Sequence, residues 1–178
     1  MEQTQNAKSS KLWHKAWFKN LLTVLVFVTV FLALRPFMQG DVLEGQAPKL
    51  QLTSLNGQTL DLQKMNAEGE VVLIHIWATW CPICKFSRDG IEDIAADYKV
   101  ISIATQSGDD EQLLSYARQH EMNADYLVND LDGALAAQFG AKAVPADFVI
   151  SPNGEIAFVE VGLTSSIGLR FRLWWAGL

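Results

Sequence analysis

Val71-Val72-Leu73-Ile74-His75-Ile76-Trp77-Ala78-Thr79-Trp80-Cys81-Pro82-Ile83-Cys84 is the stretch on which the fold turns. Val71 to Trp77 is apolar except for His75 and too short for a helix, so it reads as a central strand buried on both faces. From Pro82 through Tyr98, Phe86, Ile91, Ile94 and Ala95 recur at roughly helical spacing, with Gly90 weakening the middle. Cys81 and Cys84 stand at the junction and are the chain's only cysteines. Two thiols separated by two residues at a helix start can close into a small ring and reopen, carrying two electrons each time.

Outward from this junction the pattern alternates between strands and helices. Leu50-Gln51-Leu52-Thr53 and Thr59-Leu60-Asp61-Leu62 alternate at period two around Asn56-Gly57, a hairpin signature. Val100 to Ala104 reads as another strand. Asp109, Asp110 and Glu111 then load the first turn of a helix reaching His120. Tyr126 to Val128 reads as a short strand and Asp132 to Phe139 as a short helix stopped by Gly140. Phe148 to Ile150 and Ile156 to Val159 flank Ser151-Pro152-Asn153-Gly154 as a second hairpin, and a last helix starts near Ser165. This order predicts an α/β sandwich around a mixed sheet.

A thiolate, not a thiol, attacks a disulfide, so the reacting cysteine needs a lowered pKa and access to solvent. The spacing places Cys81 at the N-cap or first turn, where unpaired N–H groups and the helix dipole favour an anion, with Pro82 at the first helical position and Cys84 one turn in and more protected. Cys81 is therefore assigned as nucleophile and Cys84 as resolving thiol. A structural disulfide of so small a ring removes little unfolded-state entropy. Zinc needs about four ligands, and His14, His75 and His120 are scattered. A single-cysteine peroxidase would not need Cys84.

The formal charge of −6 is uneven: residues 1–39 carry Lys8, Lys11, Lys15, Lys19 and Arg35 against Glu2, or +4, which leaves −10 for residues 40–178. An acidic globular part argues against nucleic acid as its partner. The basic start leads into the charge-free run Leu21 to Leu34, extended by Trp17, Phe18, Phe37 and Met38. A cleaved signal peptide is the competing reading, but Arg35-Pro36-Phe37-Met38 offers no small-x-small cleavage site. The expected organisation is a basic cytoplasmic N-terminus over 1–19, a transmembrane signal-anchor over 20–38, a linker over 39–47 and a domain over 48–178. The lysines place the N-terminus inside and the domain outside the membrane.

Trp77-Ala78-Thr79-Trp80-Cys81-Pro82-Ile83-Cys84-Lys85 resembles the active site of membrane-anchored thioredoxin-like proteins of the TlpA/ResA group, and Val144-Pro145 ahead of Phe148 to Ile150 resembles their cis-proline loop. The similarity covers about residues 46–163. More narrowly, Ser107-Gly108-Asp109-Asp110, Val128-Asn129-Asp130, Asp132-Gly133-Ala134-Leu135 and Arg172-Leu173-Trp174-Trp175-Ala176 resemble the suppressor for copper sensitivity D subgroup. The resemblance implies a thioredoxin fold with an N-terminal β-hairpin extension. It also implies a periplasmic thiol–disulfide exchange protein fixed to a bacterial inner membrane and associated with copper tolerance. Pro145 is then expected to be cis, beside the cysteines, with the Val144 backbone, Trp80, Pro82 and Ile83 meeting an extended substrate segment.

Two departures from the family are visible. His75 stands where cytoplasmic thioredoxin carries a buried acid; it is read either as a proton relay for Cys84 or as a hydrogen-bonded core histidine. Ser87 stands where some reductases of the group carry glutamate. The leading reading is a disulfide reductase of protein thiols, without a cofactor or bound metal, kept reduced by a transmembrane electron donor. It is expected to be monomeric because no exposed apolar helix remains to pair. An oxidase or isomerase, and a module using the two thiolates to bind Cu(I), are the alternatives.

Overall fold

The computed structural model describes residues 20–30 and 42–178. Residues 20–30 form helix α1, in which the Thr29 hydroxyl donates to the Leu25 carbonyl at 2.8 Å. Among the described residues no helix is long and apolar enough to cross a membrane; residues 1–19 and the rest of the stretch read as an anchor lie outside them.

Asp41–Leu178 is a separate compact unit. Its elements follow the order β1 (Gly45–Gln46), β2 (Gln51–Thr53), β3 (Thr59–Asp61), α2 (Leu62–Ala67), β4 (Val72–Trp77), α3 (Cys84–Ala95), β5 (Lys99–Thr105), α4 (Asp110–Gln119), β6 (Leu127–Asp130), α5 (Ala134–Gln138), β7 (Ala146–Ile150), β8 (Glu155–Val161) and α6 (Ser166–Ala176). Six strands make one sheet in the order β1-β8-β7-β4-β5-β6. β4, β5 and β6 run parallel through the crossover helices α3 and α4, while β7 and β8 return antiparallel. β2 and β3 form the expected hairpin as a separate two-stranded sheet.

β4 is central and wholly buried, as its apolar run requires. Its side chains alternate between faces. Val72, Ile74 and Ile76 join Ile101, Ile103, Phe139 and Phe148 in one core, whereas Leu73 packs with Ile91, Ile94, Leu169 and Leu173 under α3 and α6, and Trp77 packs beside the two cysteines. His75 has the parity of Leu73 and Trp77. Gly90, unfavourable inside a helix, lets α3 and α6 approach: a Cβ there would lie 3.0 Å from Cβ of Ser166.

Several expectations change. Gly45–Gln46, inside the stretch read as a linker, pairs with β8, because Leu43 N–H and Ala47 N–H find the Phe139 and Gly154 carbonyls. Leu62 starts helix α2 instead of ending a strand, since the Asp61 side chain caps it by accepting from Lys64 N–H. Phe86 points away from the core. Trp174 and Trp175 are both more than half exposed, so the premise that no apolar helix face is exposed does not hold.

Candidate active site

The parallel strand β4 delivers the chain at its C-terminal end to Ala78-Thr79-Trp80-Cys81, the edge at which sheets of this type hold their ligands. Thr79 N–H donates to the Ser107 hydroxyl at 3.0 Å, and the Trp80 indole N–H donates to the Gln106 carbonyl at 3.0 Å. Gln106 adopts a left-handed backbone (φ 46°), unusual for a residue with a side chain, while Trp80 stays largely exposed. These two bonds fasten the turn that carries the first cysteine to the end of β5.

Cys81 and Cys84 form a disulfide with a Cα–Cα distance of 5.4 Å. The helix begins later than expected. Ile83 is the N-cap and Cys84 the first helical residue, so Pro82 lies in the preceding turn and Cys81 before it. Ile83 has no capping side chain, and Cys84 N–H instead donates to Cys81 Sγ at 3.2 Å. The sulfur thus takes the acceptor place of a capping oxygen, which is how the helix end reaches Cys81 despite the shift. Both cysteines are buried, at 4 % and 3 % exposure, so the expected difference in protection is absent in the disulfide form.

The Val144–Pro145 peptide is cis, and Cys81 Sγ lies 3.6 Å from the Val144 carbonyl oxygen. The Pro145 carbonyl is tied to Gly162 N–H at 2.8 Å, which fixes the loop to the end of β8. Pro145 is buried and Ile83 about half exposed. A groove of about 370 Å³ is lined by Trp80, Gln106, Ala137, Gly140, Ala143 and Val144.

Beneath the disulfide lies a buried pair. His75 Nδ1 and Asp147 Oδ1 are 2.6 Å apart, as directly opposed residues of β4 and β7. His75, Cys84, Arg88, Glu92, Ser102 and Tyr116 all line one cavity of about 10 Å³, the room of a single water. The sequence reading missed Asp147 because it began the strand at Phe148. A carboxylate between Ala146 and Phe148, opposite the one polar residue of β4, was the available signal. Arg88 reaches the cavity and Lys85 is exposed. The Ser87 hydroxyl donates to the Cys84 carbonyl at 3.0 Å, and the Trp77 indole N–H to the Ser102 hydroxyl at 2.8 Å. Among the described residues no three His, Cys, Asp or Glu side chains converge as a metal site.

A family model described as the AhpC/TSA family matches residues 43–159. A thioredoxin-like protein of Haemophilus influenzae is 28 % identical over 163 residues, covering 91 % of this chain and 96 % of its own. The thiol-disulfide oxidoreductase ResA of Oceanobacillus iheyensis is 25 % identical over 171 residues, covering 91 % and 89 %. Among solved structures, the exposed lipoprotein thioredoxin Etrx1 of Streptococcus pneumoniae superposes with a TM-score of 0.62 at 20 % identity, over 72 % of this chain and 99 % of that one.

Proposed function

Since the chain belongs to the AhpC/TSA family and has the thioredoxin fold, we propose that it is a membrane-tethered, periplasm-facing reductase of protein disulfides. Thiol–disulfide exchange is the chemistry of its named relatives. The observation that carries the reading is the closed Cys81–Cys84 pair with Cys84 N–H directed at Cys81 Sγ. In the reduced protein the same N–H favours a Cys81 thiolate.

That thiolate attacks a substrate disulfide, forming a mixed disulfide and releasing one substrate thiol. Cys84, once deprotonated, attacks Cys81 Sγ, which releases the second substrate thiol and closes the pair again. Two electrons pass to the substrate and are replaced by a transmembrane donor. The Val144 carbonyl and the Trp80, Pro82 and Ile83 surface receive the substrate segment beside cis-Pro145. His75 takes the Cys84 proton across the shared cavity; Asp147 holds its Nδ1 and leaves Nε2 for exchange. The basic start and the apolar run from Leu21 support the tether, and the motifs that resemble the suppressor for copper sensitivity D subgroup support a role in copper tolerance.

The test is insulin reduction by the full chain together with the equilibrium potential of the Cys81–Cys84 pair against glutathione. Turnover that Cys81→Ser abolishes, with a potential more reducing than the glutathione couple, is expected. A pair more oxidising than glutathione overturns the reductase direction, and tight stoichiometric Cu(I) binding without turnover overturns the enzyme reading.

A further inference from the structure

A proton taken up by His75 has to leave the protein before the next turnover, yet His75 is 3 % exposed and Asp147, its partner at Nδ1, 2 %. Neither opens on solvent. Helix α3 supplies what lies between. Cys84, Arg88 and Glu92 follow one another at intervals of four, so they share one face over about 12 Å of helix. All three line the water-sized cavity that His75 also lines.

An open cleft of about 550 Å³ between α3 and the end of α4 is lined by Arg88, Glu92, Arg118 and His120. Among the described residues, Arg88 and Glu92 are the two that line both spaces. Tyr116, on the cavity side, packs its ring 4.3 Å from that of His120 on the cleft side. Arginine does not give up its proton in proteins, whereas a carboxylate both takes and releases one. Glu92 is held at this boundary from the loop after α4: its Oε2 accepts from Asn123 N–H at 3.3 Å and from the Tyr126 hydroxyl. The charged groups around it are Arg88, Asp89 and Asp93 on α3, with Arg118, His120 and Glu121 across the cleft.

We propose that Glu92 carries the proton of the resolving thiol between buried His75 and solvent. The inference rests on the exchange reaction proposed above. As Cys84 Sγ attacks Cys81 Sγ, its proton passes to His75, the bond from Cys81 to the substrate sulfur breaks, and that sulfur leaves with the electron pair. His75 then gives a proton through water in the cavity to the Glu92 carboxylate, which releases it into the cleft; a cavity with this polar lining suits a bridging water. On re-reduction the Cys84 thiolate recovers a proton by the same route in reverse. The other way out runs past Cys81, which the substrate covers while the mixed disulfide exists. Glu92 acts through His75 and does not meet the reacting sulfurs.

The test follows thionitrobenzoate release in stopped flow when the reduced full chain, in detergent, meets equimolar 5,5′-dithiobis(2-nitrobenzoate). The first release reports attack by Cys81 and the second its displacement by Cys84. Glu92→Gln keeps an accepting oxygen but takes no proton, and Tyr126→Phe keeps the carboxylate while removing its hydroxyl partner. Glu92→Gln is expected to leave the first release unchanged and to slow the second about tenfold, less than the roughly 10²- to 10⁴-fold of a group that meets the reacting atom. The second release should also be slowed more by heavy water in Glu92→Gln than in wild type, because proton transfer has become the slow step. Tyr126→Phe should match wild type in both releases. A second release as fast as wild type in Glu92→Gln overturns the outlet, and so does an equal slowing of both releases. Slowing without a larger isotope effect, or the same slowing in Tyr126→Phe, also overturns it by making the role structural. A wild type that releases one thionitrobenzoate and no second overturns the exchange reading itself, a result distinct from all the others.

Discussion

His75 Nδ1 and Asp147 Oδ1 meet at 2.6 Å across strands β4 and β7, with both residues at 3 % exposure or less. Removing one partner strands the other in the core. Asp147→Ala is expected to destabilise the domain by about 3–5 kcal/mol in urea unfolding. His75→Leu combined with Asp147→Leu should be less destabilising than the sum of the single changes, because no polar group is left unpaired. In the same double variant mixed disulfides should form at the wild-type rate and resolve more slowly.

Tyr126 donates its hydroxyl to Glu92. Burial, followed by the hydrogen bond and charge of that carboxylate, pushes the phenol well above its ordinary value of 10.0. A group whose folded pKa is raised contributes stability that is present below the unfolded pKa and lost as pH rises through the folded one. Stability should therefore decline above about pH 10, and Tyr126→Phe should flatten that decline while costing about 1 kcal/mol near neutrality. Denaturant midpoints between pH 8 and 11 measure both effects.

Helix α4 starts with a reciprocal cap. Asp109 Oδ1 accepts from Gln112 N–H at 2.9 Å, and Gln112 Oε1 accepts from Asp109 N–H at 3.0 Å. Asp109→Ala should lower stability by about 1 kcal/mol and leave insulin reduction unchanged, since the cap touches neither cysteine.

Much of this was readable from local patterns. The apolar run to Trp77 fixed β4, Ser165 and Asp109 marked their helix starts, and the spacing of Cys81 and Cys84 marked the thiol pair, whereas a cis Pro145 beside them was expected from the family resemblance alone. What escaped depended on partners far away in sequence. Asp147 has meaning only opposite His75, and β1 exists only because β8 offers an edge. Gly90 reads as a helix weakness until Ser166 is seen against it. The late start of α3 was hidden because Pro82 suits a first helical position, whereas the Cys81 sulfur takes over as the acceptor. Helical spacing alone also gave no sign that α6 would leave an aromatic face uncovered.

The most direct test of the chemistry is disulfide capture by single-thiol variants of the full chain. Cys84→Ser, with Cys81 alone, should accumulate mixed disulfides with reduction-sensitive substrates, and Cys81→Ser should accumulate none. Capture by Cys84 in the Cys81→Ser protein, with none by Cys81, would contradict the assignment of the nucleophile.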